Sequence, residues 1–111
     1  MAIVNQRLTT TQLNILTVPA GKSYAITNIL VCNNDGTDDA SFDLHFIPSG
    51  GSLSDNITRM VNNLTLPAGE TFTFDSERII LEAGDIVAFV AEPDAGSGNT
   101  DLAALVSYLE V

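Results

Sequence analysis

Apolar and polar side chains alternate in several stretches along the chain. Over residues 41–47, Phe42, Leu44 and Phe46 fall on one parity and Asp43 and His45 on the other. Residues 70–75 repeat the pattern, with Phe72 and Phe74 against Thr71 and Thr73. A period of two marks a strand with one buried face and one wet face. Residues 24–32 and 86–91 are instead almost wholly apolar and rich in β-branched side chains. They predict strands covered on both sides, either within a sandwich or against a neighbouring subunit. Further strands are expected near residues 3–9, 13–18, 58–66 and 79–81. The end of the chain carries two patterns. Leu102, Leu105, Val106 and Leu109 have helical spacing, whereas residues 106–111 read as a strand. The strand is favoured, because an all-β chain would close its sandwich there.

Turn chemistry separates these segments. Asn33-Asn34-Asp35-Gly36 opens one loop, Pro48-Ser49-Gly50-Gly51 a second and Asp94-Ala95-Gly96-Ser97-Gly98-Asn99 a third. By composition the last two are expected to be the most flexible. One phrase recurs: Val18-Pro19-Ala20-Gly21 resembles Leu66-Pro67-Ala68-Gly69, and Leu81-Glu82-Ala83-Gly84 is a looser copy. Proline at the second position presets φ, and glycine at the fourth fits a close or positive-φ backbone. The copies are unevenly spaced, so they are a reused turn and not a repeat architecture. The pattern predicts an all-β protein, a jelly-roll-like or Greek-key antiparallel β-sandwich of about eight strands. Residues 15–111 form its single domain. Residues 1–14 are either an N-terminal arm or the first strand.

Composition narrows the function. A chain of 111 residues holds one domain, and 45% hydrophobic residues suffice for a core without metal or disulfide staples. Charged residues are 16%, against about 25% in an average domain, which points to surface covered by a partner. Fourteen acids face four scattered bases, Arg7, Lys22, Arg59 and Arg78, for a net charge of −10. With no basic stripe, nucleic acid and anionic membrane are not expected partners. The N-terminus lacks the basic and apolar regions of a signal peptide, and no apolar run approaches the ~20 residues of a membrane helix.

Candidate chemistry is sparse. His45, the one histidine, has no partners in the sequence and is expected to be a surface or interface residue opposite Phe42, Leu44 and Phe46. Cys32, the one cysteine, shares the parity of Ile26 and Leu30 and is expected to be a buried structural thiol with no base nearby. Asp35, Asp38 and Asp39 lie close together in a loop, the only weak metal candidates. The EF-hand frame fails there, because its first and last ligands would be Val31 and Phe42. A solvated hairpin loop is the simpler reading. Asn56-Ile57-Thr58 and Asn63-Leu64-Thr65 match the glycosylation pattern by chance, given the missing leader. No catalytic constellation emerges, so no enzyme activity and no cofactor are expected. A carbohydrate-binding sandwich would want exposed aromatic platforms, for which only Tyr24 and Tyr108 and no tryptophan are present.

The stretch from Thr17 to Asn34, TVPAGKSYAITNILVCNN, resembles the opening of small virion proteins of tailed bacteriophages. So do Phe46-Ile47-Pro48-Ser49-Gly50-Gly51 and the turns starting at Leu66 and Leu81. The resemblance covers residues 15 to 111. It implies a β-sandwich on a virus particle, made in the host cytoplasm. Capsid cement (decoration) ranks first and a tail, baseplate or fibre component second, because the chain is short and shows no shaft or attachment segment. The implied partners are the major capsid protein or other virion proteins; separately, the nearly continuous apolar strands 24–32 and 86–91 and the 16% charge fraction predict a homo-oligomer, with a trimer favoured. Ile3, Val4 and Leu8 in the N-terminal segment are the expected interface residues.

Overall fold

The computed structural model describes residues 2–74, 79–93 and 96–111. Asp75, Arg78 and the Asp94-Ala95 pair of the sequence reading lie outside the described residues. Nine strands run through the rest: β1 (Ala2–Arg7), β2 (Leu13–Thr17), β3 (Tyr24–Asn33), β4 (Ala40–Ile47), β5 (Arg59–Leu66), β6 (Thr71–Phe74), β7 (Ile79–Leu81), β8 (Ile86–Glu92) and β9 (Leu102–Glu110). The end of the chain is therefore strand. Its alternation explains this: Leu102, Ala104 and Val106 point inward and are fully buried, between β1 on one side and β3 on the other.

The antiparallel pairs nest. β4 pairs with β5, β3 with β6 and β7, β2 with β8, and β1 with β9. This is one long hairpin rolled up, and the β3–β9 and β4–β8 pairs join successive turns of the roll. The outcome is two sheets, β1-β9-β3-β6 with β7 also on β3, and β2-β8-β4-β5. β6 and β7 lie along residues 29–32 and 24–26 of β3 and act as two pieces of one edge. Eight strand paths thus build a jelly-roll sandwich. Between the sheets sit Ile29, Val31, Leu44, Val106 and the Phe42 ring, whose centroid lies 5.6 Å from that of Phe72 and 6.0 Å from that of Phe89.

Three placements differ from the sequence reading. A bulge between Ile26 and Asn28 shifts β3 by one residue against β9. Ile26 points inward before it, and Ile29 and Val31 point inward after it, so the parity flips. Cys32 consequently faces outward and is half-buried, not enclosed. Second, the expected interface residues of the N-terminal segment are not all at the surface: residues 2–7 take the first-strand alternative and pair with β9 in the chain's own sandwich. Leu8 follows them into the core at 2% exposure, and its N–H donates to the Leu102 carbonyl at 2.9 Å. Val4 also packs on the core, which leaves only Ile3 of the three expected interface residues on the surface. Third, the loop after β3 is no hairpin, because β3 and β4 belong to different sheets.

The recurrent turn phrase has one structural meaning. β2 to β3, β5 to β6 and β7 to β8 each pass from one sheet to the other. At each corner a four-residue turn closes: the N–H of Lys22, Glu70 and Asp85 donates to the carbonyl of Pro19, Pro67 and Glu82. Gly21, Gly69 and Gly84 take φ of 79°, 76° and 87° at the third position. The turn therefore begins at Pro19, Pro67 or Glu82, one residue later than the sequence suggested, and glycine supplies the positive φ that the third position requires.

Candidate functional site

The outward face of β4 is where the sequence pattern misleads. Asp43 and His45 occupy the parity read as wet, yet they are 4% and 0% exposed. The connection from β4 to β5 folds back over them. The Phe46 N–H donates to the Thr58 carbonyl at 3.0 Å, which ties the end of this connection to β4. His45 Nδ1 lies 2.8 Å from Thr58 Oγ1. That hydroxyl donates to the Ser54 carbonyl and accepts from the Ser54 N–H, both at 2.9 Å. With its single proton spent on Ser54, Thr58 accepts from His45, which assigns the proton to Nδ1. His45 Nε2 is buried and has no hydrogen-bond partner among the described residues.

Beside it lies a carboxylate group. Asp43 Oδ1 accepts the Asn63 N–H at 2.6 Å, and Asn63 has φ of 49° where β5 bulges against β4. Arg59 Nη1 stands 3.9 Å from Asp43 Oδ2 and 3.6 Å from Asp55 Oδ2. A hydrogen bond with Asp43, together with burial, pushes the Glu92 carboxyl above the usual range. Burial pushes His45 below its usual value, against the pull of Asp43 and Asp55. Asp43 and Arg59 thus stitch the bulge and the covering loop to the sheet, while His45 anchors the loop's last residue. The Thr58 hydroxyl of the first glycosylation match is wholly taken up in this network.

A second polar knot holds the loop after β3. Asn33 is fully buried, and its Nδ2 donates to the carbonyls of Leu66 and Asp38 at 2.9 and 3.0 Å. Its Oδ1 accepts the Asp35 N–H at 3.0 Å. Asn99 adds bonds to the carbonyls of Asp38 and Asp39. Asp35 Oδ1 accepts the N–H groups of Thr37 and Asp38, which hold its carboxyl below the usual range. These bonds turn the Asp35 carboxylate toward its own loop. Among the described residues, no three of His, Cys, Asp or Glu are grouped to hold a metal ion. Tyr24 and Tyr108 stack on each other with ring centroids 4.5 Å apart, and Tyr24 is buried, so they form no open aromatic platform. Cys32 Sγ lies 3.4 Å from Asn34 Oδ1.

Sequence reasoning named His45, Asp43, Thr58 and Arg59 separately but did not bring them together. The signal available for Asp43 and His45 was alternation, which reports the faces of a strand and is silent about a loop that covers one of them. Asn33 was visible only as the first residue of a turn. Comparison with protein-family models, curated proteins and solved structures finds no match to this chain.

The buried histidine has a pH consequence. The folded chain resists protonation of His45, whereas the unfolded chain takes up that proton near the usual value of 6.5. The stabilisation is present above 6.5 and is lost as pH falls below it toward the lowered folded value. Glu92 acts in the opposite sense. Its raised value favours the folded chain below the ordinary 4.5, and that stabilisation is lost as pH rises through the folded value. The melting temperature is expected to fall as pH is lowered from 7 through 6.5, and His45→Gln should flatten that slope. An equally steep decline in the variant would assign the dependence to other groups.

Proposed function

We propose that the chain is a structural protein of a virus particle, a capsid cement protein that binds the assembled shell and stabilises it. The observation that carries this reading is the phage-like wording of residues 17–34, together with its echoes at residues 46–51, 66–71 and 81–85. In the folded chain residues 17–34, 66–71 and 81–85 fall on strand–corner–strand units, whereas residues 46–51 end β4 and open the loop to β5 within one sheet, so three of the four phrases follow the framework of the sandwich. Two features suit a shell protein. A sandwich of buried apolar strands presents broad faces for contact, and the acidic charge disfavours binding to the packaged genome. The partner is the major capsid protein, met many times on a symmetric surface, where repeated weak contacts add up to firm attachment.

The test uses particles made with and without the chain. Particles lacking it are expected to lose their genome at a lower temperature, and adding back the purified protein should restore resistance and decorate the shell in electron micrographs. Shells of equal heat resistance would overturn the cement reading. Density found on the tail or baseplate instead would move the chain to that structure.

A further inference from the structure

Among the described residues, the outward face of the β1-β9-β3-β6 sheet, with β7, has no acidic side chain in its paired rows. At one end Ile80 and Leu109 flank Ala25 on β3, in register. The next row places Ile3 opposite Ser107. Leu30 and Leu105 pair at the centre, and Cys32 pairs with Ala103 in the last row. Among the described residues, Arg7, opposite Ala103 at the far corner and 3.9 Å from the Asp101 carboxylate beyond the rows, is the one charged group in these rows. Ile3 is 62% exposed, Ile80 50% and Leu109 38%. Asn5, Asn28, Thr71 and Thr73 share these rows, so among the described residues the face mixes apolar with uncharged polar side chains apart from Arg7, on a chain of net charge −10.

We propose that this face packs against further copies of the chain. Charge selects that occupant. A basic partner would be drawn to the acidic remainder of the surface, whereas two copies meeting elsewhere would bring carboxylates together. Here they meet without that repulsion. The small side chains of Ala25, Ala103 and Ser107 let a second sheet approach to the ~10 Å of face-to-face packing. Four rows across four strands span roughly 25 by 20 Å, or about 1,000 Å² for the two partners together, which reaches the lower bound of a specific interface. The inference concerns the isolated chain and does not depend on the virion reading.

The experiment combines light scattering of the full-length protein with the reactivity of Cys32, whose half-exposed thiol lies on the face and reports on its covering. The wild type is expected to form an oligomer that tightens as salt is raised, because the net charge of −10 on each copy is then screened while the contact itself is largely uncharged. Its mass gives the order and tests the trimer expected from the sequence. The thiol should react more slowly as protein concentration rises. Ile3→Asp combined with Ile80→Asp, at two exposed positions, should weaken association on the order of 100-fold. Cys32 reactivity should then no longer depend on concentration. Ile57→Asp, at a 74% exposed site on the loop covering the other sheet, should leave association unchanged. A wild type that stays monomeric at millimolar concentration with a uniformly reactive thiol would overturn the proposal. So would an oligomer indifferent to the double change.

Discussion

Replacing Asn33 by leucine is expected to lower the stability of the fold by about 2–4 kcal/mol, a large share of the ~5–15 kcal/mol typical of a domain. Leucine matches asparagine roughly in size and keeps the site apolar, so the loss would come from hydrogen bonds. The Leu66 and Asp38 carbonyls would each lose a donor, and the Asp35 N–H would lose its acceptor. Buried groups left in that condition cost about 1–3 kcal/mol each. Asp38 retains its bond from Asn99, which keeps the total below the simple sum. Aspartate is no substitute, because it keeps the acceptor but lacks both donors and brings a charge into a closed site. Backbone bonds at the same residue, from Asn33 N–H to the Glu70 carbonyl and from Gly69 N–H to the Asn33 carbonyl, would survive. The measurement is urea unfolding, with the slope checked so that a change in midpoint reports stability. A leucine variant within about 0.5 kcal/mol of wild type, inside the usual scatter of surface substitutions, would show that water or neighbouring side chains satisfy these groups.

The strands were legible because a sheet imposes a period of two and the core is apolar. Nearly every strand could be placed from its side chains; the last was chosen because an all-β chain would close there, and it begins at Leu102, ahead of the stretch read as strand from residue 106. What could not be read was anything set by one residue out of step. The bulge beside Thr27 inverts the parity of β3, so Cys32 emerges on the opposite face from Ile26. No composition signal announces it, since Thr27 and Asn28 are ordinary strand residues here. The same holds for Asp43 and His45, whose burial depends on residues 48–58 folding back. The hydroxyl and carbonyl groups that fix that fold belong to Thr58 and Ser54, common residues with no signature. The repeated turn phrase lies between these cases. Its glycines take the positive-φ alternative of the sequence reading, one turn position earlier than expected, but its role as the corner between sheets required the strand order.

That role makes the third corner the most sensitive of the three. Gly21, Gly69 and Gly84 share nearly the same φ, so alanine at any of them incurs the left-handed penalty of about 1–2 kcal/mol. Around Gly21 and Gly69 there is open space, and the penalty should end there. At Gly84 an added Cβ would lie 2.9 Å from Ser49 Cβ and closer still to its hydroxyl. The hydroxyl could rotate away, but the Cβ cannot move without its backbone. That backbone is held, because the Ser49 N–H donates to Asp85 Oδ1 at 2.8 Å, and the other carboxylate oxygen accepts the Glu82 N–H at 2.9 Å. Gly84 N–H itself donates to the Val18 carbonyl at 2.9 Å, so the corner cannot swing outward without losing a bond to β2's end. Overpacking of this kind adds about 1–3 kcal/mol. Gly84→Ala is therefore expected to cost about 3–4 kcal/mol, roughly twice the cost of Gly21→Ala or Gly69→Ala. The steric part can be isolated by removing Ser49's side chain. In the double variant Ser49→Gly with Gly84→Ala, the loss should shrink toward the 1–2 kcal/mol of the backbone penalty alone, measured against Ser49→Gly. If the two changes were simply additive, or if all three alanine variants lost the same stability, the contact between Ser49 and Gly84 would carry no weight in this corner.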